Sequence, residues 1–416
     1  MSLKTSIVSR LTESFLGEAR LRKLRRKAEL RRRKEGRPHL VEYFHQPHDP
    51  YSRLLAQTLP AFIQRYDVEL RVWLVGPPPD WAAPERERLR EWSRIDAALL
   101  AARARLDPDA EDPAVRELIA GARTGGDARR EQLGHYLGAT LYYEGEWYWG
   151  LDRLHYLESR LAELGARRAA APAEPLFAPP AVPSSAAAPP ASGQPPDIHW
   201  FLSFRSPYTY IAAERVRALA DACSARLQLR YVLPMRMRGL PVPKMKSRYI
   251  VADVAREARR LGVAFGRIAD PLGEPVERGY SLLPWAIAEG RGYEYCLAFM
   301  RGVWSRGIDA GGDRGLARIV TDAGLDWQGA RRHLGSDDWR AVAEANREEL
   351  LGLGLWGVPS FRVGDAAVWV RTGSGRRRTC SRAQLTDAAA IHDLRSIASP
   401  HEPAATPLQA VSAPWD

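Results

Sequence analysis

Cysteine is nearly missing from this chain: there are three in 416 residues, Cys223, Cys296 and Cys380, far apart and none in a Cys-x-x-Cys. That spacing argues against the adjacent dithiol on which thiol–disulfide exchange depends, and for a reducing compartment. Also lacking is any uninterrupted apolar run long enough to cross a bilayer, and no signal-peptide core follows the basic start. A cytoplasmic protein without a membrane span is the expectation. Histidine is sparse as well. His39, His45 and His48, with Asp49, fall in no standard ligand spacing, so we expect them to bond locally and expect no metal.

Charge of one sign is in excess, but only locally. The net charge is +11, and residues 1–37 carry thirteen Lys/Arg against four Glu, so the rest of the chain is close to neutral. The basic balance therefore describes an arm and not a substrate. Ile7, Leu11, Phe15, Leu16, Leu21 and Leu24 give this arm a weak apolar stripe, which predicts a basic helix packed on its own domain. Contact with an anionic surface or nucleic acid is the alternative, and specific nucleic-acid recognition is not expected.

A Pro/Ala-rich stretch with little charge, residues 166–196, reads as a semi-rigid linker between two halves. The second half opens on Asp197-Ile-His-Trp-Phe-Leu-Ser-Phe-Arg-Ser206-Pro207-Tyr208-Thr209-Tyr210. Ile198 to Phe204 has strand length and composition; Pro207 suits the first turn of a helix, and Tyr210, Ile211, Val216 and Leu219 continue at helical spacing. Ser206 thus stands at a helix N-terminus, among unpaired N–H groups that favour an anion or a thiolate. A strand at Leu227–Leu233, a helical stretch to about Leu351, then Gly357-Val358-Pro359-Ser360 before a hairpin complete the pattern.

These motifs resemble the DsbA-like branch of the thioredoxin superfamily, and within it 2-hydroxychromene-2-carboxylate isomerases and kappa-class glutathione transferases. The helix bearing Tyr249, Asp253 and Arg256 has their residue types at their spacings. The resemblance implies an α/β chain of two thioredoxin-like domains, each with an inserted helical subdomain. The expected division is a basic arm (1–37), a degenerate first copy (38–165), the linker (166–196), an isomerase- or transferase-like domain (197–369) and an atypical tail (370–416). In the first copy, Leu40–Phe44 and Val68–Val75 are strands, and Asp49-Pro50-Tyr51-Ser52 overlays Ser206-Pro207-Tyr208-Thr209. Asp49 then replaces the serine, where a carboxylate repels a thiolate, and Ala139 replaces the proline of Gly-Val-Pro.

The chemistry implied by the resemblance is a glutathione-dependent isomerisation of a small aromatic carboxylate, with a kappa-type transferase as the close alternative. Ser206 is the expected catalytic residue, donating to the glutathione sulfur. Pro207, Val358 and Pro359 are expected to help hold glutathione, the last in a cis bond, with the Val358 backbone pairing like an added strand. Tyr208 is a candidate for binding the substrate, and Arg236, Arg238, Lys244 and Lys246 are candidates for the substrate carboxylate or the glutathione glycine. A non-catalytic scaffold of two degenerate copies is the rival reading, and a dithiol oxidoreductase lacks its cysteine pair, with Ser and Thr at positions 206 and 209. The first copy is expected to pack as a built-in partner, or the chain to form a homodimer.

One departure bears on activity. The family continues with Trp-Gly-x-Asp-Arg-Leu and a final helix; residues Trp149 to Leu154 have that motif, whereas Trp369 is followed by Val370-Arg371-Thr372-Gly373 and a tail without amphipathic pattern. Among the codons permitted from Trp369 onward, restoring a single G yields Trp-Gly-Ser-Asp-Arg-Leu-Trp-Ala-Ala-Glu-Asp-Val-Leu-Ala, the missing motif and an amphipathic helix. The tail is therefore expected to be disordered, a frameshifted reading of that helix. A nucleotide sequence without such a recoverable frame would end this idea.

Overall fold

The structure is a computed structural model that describes residues 3–110, 112–178 and 195–369. It contains two four-stranded mixed sheets, one between residues 40 and 149 and one between 197 and 369. Ahead of them lie the two helices of the arm, α1 (Leu3–Leu16) and α2 (Glu18–Lys34).

The first sheet is built from β1 (Leu40–His45), β2 (Glu69–Leu74), β3 (Thr140–Tyr143) and β4 (Glu146–Trp149). Helix α3 (Pro50–Arg65) crosses from β1 to the parallel β2, and α4 (Arg86–Ala104), α5 (Pro113–Ala120) and α6 (Gly126–Gln132) lead to the antiparallel hairpin. After β4, α7 (Leu154–Glu163) packs back on the hairpin. β1 is covered on both faces, which suits a central strand.

The second sheet repeats this order. β5 (Asp197–Leu202) is followed by α8 (Pro207–Ala222) and the parallel β6 (Arg226–Tyr231); six helices then precede the hairpin β7 (Ser360–Val363) and β8 (Ala366–Trp369). These helices are α9 (Lys244–Leu261), α10 (Glu274–Ala288), α11 (Gly292–Ser305), α12 (Asp313–Asp322), α13 (Trp327–Arg331) and α14 (Asp338–Gly352). The sheet orders are β2-β1-β3-β4 and β6-β5-β7-β8. Even the register repeats: Phe44 pairs with Thr140 and Thr140 with Trp149, just as Phe201 pairs with Ser360 and Ser360 with Trp369. Ala139 and Pro359 therefore occupy the same place, one residue before the third strand.

The arm does not extend into solvent. α1 lies on the second unit, where Thr12 Oγ1 accepts from the Ile268 amide at 3.2 Å and Arg259 donates to the Leu16 carbonyl at 3.1 Å. α2 lies on the first unit, where the Arg25 guanidinium grips Glu146 through two bonds of 2.7 and 2.9 Å. Two helices thus strap both units. Ile7, Leu11 and Phe15 remain exposed on the outer side of α1.

One expectation needs correction. The chain does not leave the first unit at Ala166: Ala166 and Phe177 are buried in its core, and Glu158 accepts from the Leu176 amide. An isolated phenylalanine in a Pro/Ala-rich stretch gave the linker an anchoring side chain that composition conceals. Cys296 is a buried free thiol. The frameshift reading of residues 370–416 lies outside the described residues. Among the described residues, no helix is long and apolar enough to cross a membrane.

The units meet on a buried ionic surface. Arg153, at the start of α7, donates through Nε and Nη2 to the two oxygens of Asp253 on α9, both at 2.9 Å, and lies 3.6 Å from Glu257. Beside this network His155 is buried, and burial pushes its imidazole pKa down to about 3. The unfolded chain binds a proton there near pH 6.5 that the folded chain refuses, so stability is lost as pH falls from about 6.5 toward 3. His155→Gln is expected to remove about 1.4 kcal/mol per pH unit from that slope. Urea midpoints measured between pH 6 and 4 give the comparison, and an unchanged slope would refute a buried neutral imidazole.

Candidate functional site

Between the units lies a cavity of about 850 Å³ with walls from both. That size suits a small-molecule site with room for more than one ligand group. Two helix starts face it. Ser206 caps α8, its Oγ accepting from the Thr209 amide at 3.2 Å, with Pro207 in the first turn. Asp49 caps α3 in the same manner, its carboxylate accepting from the Ser52 amide at 2.8 Å, with Pro50 behind it. Ser206, Asp49, Trp149 and Trp369 all line the cavity.

The Ser206 hydroxyl also donates to the Val358 carbonyl at 3.3 Å, and the Val358–Pro359 bond is cis. A long bond to a neutral carbonyl is easily exchanged for one to an anion, which draws the proton more strongly. Ser206 and Val358 thus form one corner of the cavity, with the positive end of α8 behind it. Pro207 is buried beneath this corner and also touches the cavity; Pro359 is not among the lining residues.

The wall is strongly cationic. Seven Lys/Arg side chains line it against two carboxylates, Asp49 and Asp270. Such an imbalance in a partly enclosed space concentrates anions. Of the candidates named from sequence, Arg236 and Arg238 belong to this wall. They stand on the short turn Met235–Arg238 after β6. Burial, with Arg347 next to it, holds the Arg238 guanidinium below its ordinary pKa, and its Nε has no hydrogen-bond partner among the described residues. Lys246 also lines the cavity, but its ammonium donates to the Ala82 carbonyl at 3.1 Å and sits over the Trp356 ring. Lys244 is exposed on the first turn of α9 and does not line the cavity.

Tyr208 lines the cavity with its hydroxyl turned away from it, donating to Asp253 at 2.7 Å. Burial would raise the Asp253 pKa, yet Arg153 and Arg256 hold it below the usual carboxylate range. Burial, then the Asp253 charge, pushes the Tyr208 phenol well above its ordinary value, so this tyrosine stays neutral. Asp253 and Arg256 serve the contact between units: Arg256 donates to the Trp147 carbonyl at 3.1 Å.

The histidines flagged from sequence do not converge. His39 bonds the Tyr143 hydroxyl and His45 the Tyr43 hydroxyl, while His48 lies at the cavity wall. Among the described residues no group of His, Cys, Asp and Glu has the geometry to hold a metal ion.

Sequence reasoning missed the contribution of the first unit. Arg86, Leu89, Arg90 and Ser93 of α4 all line the cavity. Their i, i+3, i+4, i+7 spacing marks one helical face, but periodicity alone does not say what that face meets. Arg347 and Trp356, from α14 and the loop after it, were missed for the same reason.

The profile of the DSBA-like thioredoxin domain family matches residues 197–378. The C-terminal half therefore carries a DsbA-like thioredoxin domain. No curated protein matches the chain. Among solved structures it is similar to a 2-hydroxychromene-2-carboxylate isomerase, at 21% identity over 42% of this chain and 88% of that one, TM-score 0.36. It is also similar to the cytosolic disulfide reductase DsbM from Pseudomonas aeruginosa, solved with GSH, at 14% identity over 48% and 96%, TM-score 0.32. A third is the oxidoreductase DsbA from Xylella fastidiosa, at 12% identity over 52% and 89%, TM-score 0.29.

Proposed function

We propose that this chain is a glutathione-dependent isomerase of the 2-hydroxychromene-2-carboxylate isomerase type, acting on a small aromatic carboxylate. The observation that carries the reading is the Ser206 hydroxyl at the start of α8, facing a cationic cavity of about 850 Å³. The corner fits the group chemically: one hydroxyl, one helix N-terminus and an excess of guanidinium groups suit a thiol compound with free carboxylates. When bound, glutathione supplies a nucleophilic sulfur.

In this reading Ser206 turns its proton from the Val358 carbonyl toward the sulfur and favours the thiolate. The backbone of Val358 and the Pro207 ring shape the corner, with Pro359 buried behind it. Arg236 and Arg238 meet the glutathione carboxylates. The N-terminus of α8 contributes fixed positive potential without being consumed. A kappa-type transferase would use the same corner with a different second substrate.

The first unit is proposed to be a second copy of the same fold that has lost this corner. Asp49 stands at the equivalent helix start and Ala139 at the equivalent turn, where a thiolate would meet a carboxylate. Those two residues are also what favours a purely binding or scaffolding role, for the first unit at least. The unit then serves as an internal partner, in place of a second subunit, in a cytoplasmic protein. Calorimetric titration of glutathione into the chain tests the reading: saturable binding is expected, and none would leave the scaffold.

A further inference from the structure

The first unit enters the cavity through one face of α4 and is fastened through another. Arg86, Leu89, Arg90 and Ser93 line the cavity. Glu85, just before the helix, accepts from the Trp356 indole; Arg88 donates to the Leu351 carbonyl at 3.1 Å; and Trp92 is buried in the core of the second unit, its ring 6.2 Å from that of Trp369. The fastening face fixes the rotation of α4 about its axis. Arg86 and Arg90 are consequently held one turn apart on the side that faces the ligand space.

Neither guanidinium is bound to a buried partner. Arg86 pairs with Asp80 at 2.7 Å and also donates to the Pro78 carbonyl at 3.0 Å, Arg90 pairs with Glu87 at 3.1 Å, and both acids are more than four-fifths exposed. Exposed pairs of this kind contribute little and exchange readily. Two guanidiniums at this spacing match a planar carboxylate, which accepts paired N–H donors. Leu89, between them on the same face, and Trp149 offer apolar surface for a ring.

We propose that Arg86 and Arg90 bind the carboxylate of the second ligand, so that the first unit selects the substrate while the second holds the thiol compound. The choice of an aromatic carboxylate rests on the function proposed above; the placement of the two arginines does not. The first unit is then a specificity element of the site as well as its partner.

The test is calorimetry on the full chain with two probes titrated separately, glutathione and cinnamate. In the double variant R86Q/R90Q the cinnamate affinity is expected to fall about tenfold or more, and glutathione affinity to change less than about twofold. Arg94→Gln removes a charge from the same helix at a position outside the cavity, and is expected to alter neither. Unchanged cinnamate affinity in R86Q/R90Q overturns the proposal, as does an equal loss of both probes, or no cinnamate binding to the unaltered chain. Cinnamate binding that depends on Arg86 and Arg90, with no glutathione binding, would support this assignment and sink the glutathione mechanism alone.

Discussion

Replacing Asp253 with alanine is expected to destabilise the chain by about 3–5 kcal/mol, the usual cost of stranding one member of a buried ion pair. Asp253 is 2% exposed and Arg153, its main partner, is equally buried. The carboxylate accepts both Arg153 bonds and the Tyr208 hydroxyl, and Arg256 lies 3.6 Å away. Its loss leaves a buried guanidinium whose remaining carboxylate among the described residues is Glu257, at 3.6 Å. The double variant R153L/D253L is expected to recover most of the loss, because the pair together gains little over apolar groups of similar volume. Urea unfolding of the three variants measures this. A D253A midpoint equal to that of the parent would show that the interface charges are solvated. Because the pair joins the units, D253A is also expected to split one unfolding transition into two.

The contrast between Ser206 and Asp253 shows what was legible in the sequence. A helix cap is local chemistry: Ser206, Pro207 and the apolar spacing beyond them are consecutive, and the structure puts a cap at that residue. Strand ends moved by a residue or two, as at Val68–Val75, which is observed as Glu69–Leu74, because fraying ends depend on partners and not on composition. Tyr249, Asp253 and Arg256 were visible as one face of a helix, but their meaning was not. Their counterpart Arg153 lies 100 residues earlier, and no periodic pattern encodes which charged face meets which. The same holds for α4, whose Trp92 joins the core of the other unit. Local propensity placed the elements; contacts between units, which decide the cavity wall, are long-range and were silent.

That distinction sets up the second large effect. Ser206→Ala is expected to weaken glutathione binding at neutral pH by roughly 10- to 100-fold, the range for losing a hydrogen bond to a charged group. The mechanism fixes a more specific signature than affinity. If the hydroxyl favours the thiolate, its removal must raise the pKa of the bound thiol, by about one to two units for the same free energy. The ultraviolet absorbance of the thiolate, followed against pH with the ligand in excess, reads this directly. The helix start remains in the variant, so the shift is expected to be partial: α8 keeps its N-terminal potential, Pro207 its place in the first turn, and the Val358 carbonyl its position. Wild-type affinity and an unmoved thiol pKa in Ser206→Ala would remove Ser206 from the chemistry and leave the cationic wall as the sole reason for anion binding. Loss of affinity with no change in thiol pKa would instead make Ser206 a positioning residue, holding the corner through its bond to Val358.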